Sequence, residues 1–220
     1  MPQMTGAATG RVTPPLRFSD IPGQGDIKVL NYALALEALE ADLYAQALLR
    51  LTGGGTNQLG RTIPGLGLND SAPDVRYVRE FGQVEAQHRD FLNGALGGQS
   101  ILLSALRTAR FDFGIETQSR QQVVDLLYTV ENLGTQAYLG AIKFFATKTY
   151  LLPAGAIQAT EARHTAVIAA ISNALFGPTK LTAPLAGQTA NINGQVNTAG
   201  IDSTAEPDAV LATASPFIVL

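Results

Sequence analysis

Four stretches of helical apolar periodicity each carry a glutamate within the apolar stripe. Two of those glutamates are followed, three residues on, by the chain's only two histidines. The pairs are Glu85-Ala-Gln-His88 and Glu161-Ala-Arg-His164. Positions i and i+3 lie one turn apart on the same helix face, so the carboxylate and the imidazole reach toward one ion together. The remaining two glutamates are Glu37, in LEALEADLY, and Glu131, in VENLGTQAY. Their same-face neighbours are apolar or aromatic: Leu30, Ala33 and Tyr44 around Glu37, and Val124, Leu127 and Tyr138 around Glu131. Val78, Phe81 and Leu92 flank Glu85, and Ala154, Ile157 and Ile168 flank Glu161. Four carboxylates therefore point into a core, where an unpaired one is very costly. Two divalent cations cancel their charge. A Glu-x-x-His pair on each of two helices, completed by one Glu from each of two others, is the di-metal carboxylate pattern of helical bundles.

The two halves of the chain repeat one another. Tyr44 follows Glu37 by seven residues and Tyr138 follows Glu131 by seven, nearly two turns, so each tyrosine shares a face with its own glutamate. An internal repeat of helix pairs predicts a site with a pseudo-twofold axis. The tyrosines read as hydrogen-bond donors to ligand carboxylates or redox relays, or else as core tyrosines with satisfied hydroxyls. Glu40 and Asp42 read as solvated, or as lying just outside the ligand set. Glu40, one turn from Glu37, competes with it for the ligand role. Gly134, Gly140 and Ala41 leave room for metals or for close helix packing, and Arg89 and Arg163 are expected to point away.

The punctuation sets the architecture. Residues 1–25, rich in Gly, Pro and Thr, read as an extended arm, and 26–177 as one four-helix bundle. Asp26 opens the first helix and Gly53-Gly54-Gly55 closes it. The second helix is predicted from a Ser71 cap to about Ala95, and the third from a Ser119 cap to about Thr147. The fourth has Pro153 in its first turn and ends at Gly177-Pro178. The connection over 99–118, with a short helical turn predicted at 101–108, is long enough to run the length of a bundle. Shorter links elsewhere predict antiparallel pairs. The fold class is all-α, with one long crossover between helices 2 and 3. Residues 178–220 form a low-charge C-terminal extension whose apolar end is expected to dock on its own bundle or on a second copy, against the plainer reading of a disordered terminus.

Composition narrows the function. There is no cysteine, which excludes disulfides, iron–sulfur clusters and zinc–thiolate sites. The formal net charge of −3 and the absence of a basic block give no footprint for nucleic acid. The longest apolar region, Val29 to Leu51, carries Glu37, Glu40, Asp42 and Arg50, which argues against a membrane span. The N-terminus lacks a signal-peptide pattern. A cytoplasmic home follows, or an extracytoplasmic one if a leader has been removed, and the sequence leaves the two open. The expected partners are metal ions, O2 or peroxide, and a second copy of the chain in a homodimer. Mixed carboxylate and imidazole ligands suit iron or manganese, with zinc as a further occupant.

LNYALALEALEADLY and EARHTAVI resemble the first and fourth helices of the ferritin-like superfamily, specifically the ferritin-like domain group that includes desiccation-related proteins. The Glu37-to-Tyr44 spacing is also similar to that of bacterioferritin and rubrerythrin. The resemblance spans roughly residues 26–177. It implies a ferritin-like bundle with Glu37, Glu85, His88, Glu131, Glu161 and His164 as ligands of two iron ions, Glu85 and Glu161 bridging. It further implies ferroxidase or oxidase chemistry in iron handling or in oxidative or desiccation stress. A dimanganese catalase-like enzyme and a stress-protective or cell-envelope protein with a structural metal site are the alternatives. The lack of a cysteine module sets the chain apart from rubrerythrin. Its only methionines, Met1 and Met4, leave no haem ligand of the bacterioferritin kind.

Overall fold

The computed structural model describes residues 12, 14–103, 109–192, 194–197 and 199–220. Among them are five α-helices: α1 (Asp26–Leu51), α2 (Pro73–Leu96), α3 (Arg120–Ala141), α4 (Lys148–Phe176) and α5 (Pro207–Ala214). Three two-stranded antiparallel ribbons complete the regular structure. They pair β1 (Gly55–Thr56) with β2 (Thr62–Ile63), β3 (Arg110–Phe111) with β6 (Ile218–Val219), and β4 (Ala190–Ile192) with β5 (Gln195–Asn197).

Local chemistry sets the helix ends. Ser119 caps α3 reciprocally: its hydroxyl accepts from Gln122 N–H while its own N–H donates to Gln122 Oε1. The cap of α2 is Ala72 rather than Ser71, whose N–H and hydroxyl both donate to Asn69 Oδ1. The third helix stops at Ala141, short of Thr147, and a 3-10 turn, Ile142–Phe144, follows. The fourth helix starts at Lys148, so Pro153 lies in its second turn. There proline forgoes only the N–H bond to the Thr149 carbonyl. Asp26 fastens the entry to α4 by accepting from the N–H groups of Ala146 and Thr147 at 2.7 and 3.1 Å.

Side-chain contacts fix the directions. Tyr44 packs on Gly82 while Leu30 and Ala33 line one crevice with Leu92, so α1 and α2 are antiparallel. Ser172 donates to Asp125 and Thr135 meets Thr165, so α3 and α4 are antiparallel as well. Asp74 and Arg120, at the starts of α2 and α3, form a two-pronged ion pair with both N–H···O distances 2.7 Å. Those two helices therefore begin at the same end and run parallel. Residues 97–103 and 109–119 lie along α1 on the return journey. Asn31 receives Ile101 N–H and donates to the Gln99 carbonyl, Gln46 donates to the Phe111 carbonyl, and Arg50 to the Gln118 carbonyl. Residues 101–103 form a 3-10 turn; the rest of the expected helical segment, 104–108, lies outside the described residues.

The link between α1 and α2 is not short. It spans residues 52–72, but β1 and β2 fold it back over the end of α1, so its length does not carry it along the bundle. The C-terminal extension docks on its own bundle. β6 pairs with β3 of the crossover, and Val210, Leu211 and Ala214 of α5 are buried in the common core. Ala205 N–H donates to the Gln136 carbonyl of α3. Gly140 makes that approach feasible: a Cβ there would lie 1.8 Å from the Ala205 carbonyl oxygen. No helix among the described residues is long and apolar enough to cross a membrane.

Candidate metal centre

The four long helices turn the carboxylates of Glu37, Glu85, Glu131 and Glu161 toward one another inside the bundle, each with 0% of its surface exposed. His88 and His164 join them from α2 and α4. The side chains sort into two groups that share members: Glu37, Glu85, His88 and Glu161, and then Glu85, Glu131, Glu161 and His164. Within each group one ligand atom from every residue lies within 4.8 Å of the others.

Both imidazoles turn Nδ1 inward. His88 Nδ1 lies 3.0 Å from Glu85 Oε2, 3.3 Å from Glu37 Oε2 and 3.4 Å from Glu161 Oε1. His164 Nδ1 lies 2.7 Å from Glu85 Oε1 and 3.3 Å from Glu131 Oε1. Glu85 thus presents a different oxygen to each histidine and spans the two groups. Phe81 stacks on the His164 ring at 3.9 Å and fixes its plane. The His88 side chain, 13% exposed, is where the cluster comes closest to solvent. Arg89 bonds to Asp90 and Arg163 to Thr160, both away from the cluster.

The tyrosines are arranged crosswise. Tyr44 of α1 donates to Glu131 of α3, and Tyr138 of α3 donates to Glu37 of α1. Each tyrosine shares a face with its own glutamate, as the spacing predicts, but its hydroxyl serves the glutamate of the other helix. Antiparallel packing of α1 on α3 produces this exchange, because seven residues along one helix matches the level of the glutamate on its neighbour. Gly82 leaves the space for Tyr44, since a Cβ there would sit 2.9 Å from Tyr44 Cβ.

Glu40 and Asp42 are not solvated. Asp42 accepts from Gln46 Nε2 and Gln58 Nε2 and belongs to a polar cluster beneath the crossover. Glu40, 2% exposed, stands beside the four core glutamates with no hydrogen-bond partner for Oε2 among the described residues. A sequence signal for it existed. Three residues after Glu131, where the repeat would place the counterpart of Glu40, the chain has Gly134.

The electrostatics call for cations. Burial pushes the Glu37 carboxyl up to about 7, against the opposing pull of His88. Burial, aided by neighbouring carboxylates, also raises Glu40, Glu131 and Glu161 well above the usual range. Glu85 suffers burial too, but the two imidazoles beside it, His164 and His88, outweigh it and bring its carboxyl down to about 2. For His88, burial is outweighed by Glu161, Glu37 and Glu85, which lift the imidazole to about 12. Glu37 Oε2, Glu85 Oε1, Glu131 Oε2, both Glu161 oxygens and His164 Nδ1 have no properly directed hydrogen-bond partner among the described residues. Acceptors this close that point at one another's lone pairs fit a cation between them.

The ferritin-like domain family matches residues 25–174. The chain belongs to that family. No curated protein matches the sequence. The ferritin-like bundle accounts for residues through nearly the end of α4, leaving β4, β5, α5 and β6 beyond the match. The ferritin-like domain and its carboxylate–histidine cluster together fit a di-metal protein.

Proposed function

We propose that this chain is a di-iron oxidase of the ferroxidase type, acting in iron handling or in oxidative or desiccation stress. Glu37, Glu85, His88, Glu131, Glu161 and His164 are its ligands. The observation that carries the reading is the placement of Glu85, which offers one oxygen toward each histidine from a site of zero exposure. A carboxylate so placed suits two ions side by side, and Glu161 is the second member shared by both groups. Bound iron would supply electrons to oxygen or peroxide and act as a Lewis acid.

The protein's own residues do the rest. Tyr44 and Tyr138 hold Glu131 and Glu37 in place through their hydroxyls, and they are the nearest groups able to pass an electron or a proton to the centre. The apolar stripes around the glutamates exclude water, which strengthens every charge interaction inside. The partial exposure of His88 offers small oxidants and ions a way in between α2 and α4. Manganese and zinc remain alternative occupants by the same donor chemistry.

The test is to remove metal, add Fe(II) in air and follow ferric absorbance and oxygen uptake. The reading expects saturation at two irons per chain with oxygen consumed. Ferrous iron left intact after aeration would overturn it. Peroxide disproportionation by the manganese-loaded protein alone would move the assignment to a catalase-like enzyme. A melting point that collapses without metal, with no turnover of any oxidant, would move it to a structural site.

A further inference from the structure

Resting on that di-metal reading, we infer that Glu40 is a fifth carboxylate ligand, serving the ion held by Glu85, Glu131, Glu161 and His164. The two halves of the site match position by position: Glu37 with Glu131, Tyr44 with Tyr138, Glu85 with Glu161, His88 with His164. The match fails at one place. Three residues after Glu37 stands Glu40, and three residues after Glu131 stands Gly134. These two positions face each other across the α1–α3 interface. A Cβ on Gly134 would lie 2.7 Å from Glu40 Oε1 and 2.8 Å from Glu161 Oε2. The missing side chain of one half is the space that the extra carboxylate of the other half fills.

Glu40 belongs to neither group of converging ligand atoms, and two further observations draw it toward the centre. It is 2% exposed, and its Oε2 has no hydrogen-bond partner among the described residues. A buried carboxylate left in that condition is very costly unless a cation balances it. Leu36, Leu39, Val130 and Leu133, with Ala214 and Phe217 of the C-terminal extension, line the crevice beside it, so its surroundings are almost wholly apolar. The choice of ion follows from Glu161. Its Oε1 faces His88, while its Oε2 turns toward Gly134 and Glu40. With Oε1 turned to the His88 side, Oε2 is the oxygen left for the ion on the His164 side, and Glu40 stands beside it.

The consequence is an unequal pair. Four carboxylates balance two divalent ions, and the fifth leaves one negative charge over. It strengthens binding at one position only and favours a more highly charged ion there.

The experiment titrates Mn(II) and then Zn(II), both without turnover, into metal-free protein by calorimetry. Wild type should bind two ions with unequal affinity. Glu40→Gln should keep two ions but weaken one of them by at least about tenfold, leaving the other within about twofold. Its metal-free form should melt higher than wild type, since it no longer buries an unbalanced carboxylate. Gly134→Ala keeps all five carboxylates but crowds Glu161 Oε2 as well as Glu40 Oε1, so it should weaken both ions. Unchanged affinities in both variants would overturn the inference while leaving the di-metal reading intact. Failure of wild type to bind either ion would overturn both.

Discussion

The Tyr138 hydroxyl donates to Glu37 Oε1 at 2.5 Å, reaching from α3 to a carboxylate of α1. The bond orients one carboxylate oxygen and leaves Oε2 facing His88. A hydrogen bond to a charged group contributes ~1.5–3 kcal/mol. Tyr138→Phe should therefore keep the fold and weaken one metal by roughly tenfold to a hundredfold. Tyr44→Phe should do the same through Glu131. Because the two hydroxyls serve different glutamates, the losses should add in the double variant. Calorimetric titration of the single and double variants checks this, and a double variant no worse than either single one would contradict it.

Shared and unshared glutamates should behave differently. Glu131 and Glu37 each belong to one of the two groups, whereas Glu85 belongs to both. Glu131→Gln or Glu37→Gln should leave one ion bound per chain. Glu85→Gln should weaken both ions together. Metal analysis after dialysis at a fixed free-ion concentration separates these patterns. A Glu85→Gln protein that still binds one ion tightly would show that Glu85 does not bridge.

Much of this was legible in the sequence, because the strongest signals were periodic. The Glu-x-x-His spacing and the apolar neighbours of each glutamate put Glu37, Glu85, His88, Glu131, Glu161 and His164 on inward faces, and the structure brings their ligand atoms together in two overlapping groups. The crosswise bonding of Tyr44 and Tyr138 was not legible, since spacing along one helix gives a face but not the partner packed against it. For Glu40 the sequence leaves a solvated position and one just outside the ligand set both open, because a charged residue beside an apolar stripe is usually at its edge, and the structure buries it. Only the contrast with Gly134 in the other half marks it. Connection length misled as well. The two connections, 52–72 and 97–119, are similar in length, yet the first folds back through β1 and β2, while the described residues of the second are tied along α1 by Asn31, Gln46 and Arg50.

The docking of the C-terminal extension depends on one missing methyl group. At Gly140 a Cβ would collide with the Ala205 carbonyl oxygen at 1.8 Å, and both groups are backbone, so neither can simply rotate away. Gly140→Val should dislodge the segment leading into α5 and break the Ala205-to-Gln136 hydrogen bond. The helices that carry the centre make their principal contacts with one another, so two metals should still bind. Limited proteolysis should cut near residue 205 much faster than in wild type, while metal stoichiometry stays unchanged. Equal cleavage rates would mean the chain absorbs the clash elsewhere.

The metal-free bundle should become less stable as pH rises. Glu37 has an ordinary value of 4.5 and a folded value of about 7. A carboxyl raised in this way binds protons more strongly folded than unfolded. Its contribution is fully present below the unfolded value and is lost as pH climbs through the folded one. Glu40, Glu131 and Glu161 are shifted in the same direction. His88, raised from 6.5 to about 12, likewise contributes fully below 6.5 and loses that contribution progressively from there to about 12. Glu85 has the opposite sign, lowered to about 2, so its contribution is present above 4.5 and lost only in acid. Between pH about 5 and about 8 the raised groups therefore decide the slope, and the Tm of the chelated protein should fall across that window. Metal loading should reverse the trend, because ligands must shed their protons to bind and affinity rises with pH. Thermal melts at both pH values, with chelator and with Zn(II), should give curves of opposite slope. A chelated protein whose Tm climbs across the same window would mean that the core carboxylates are already balanced by something other than protons or metal.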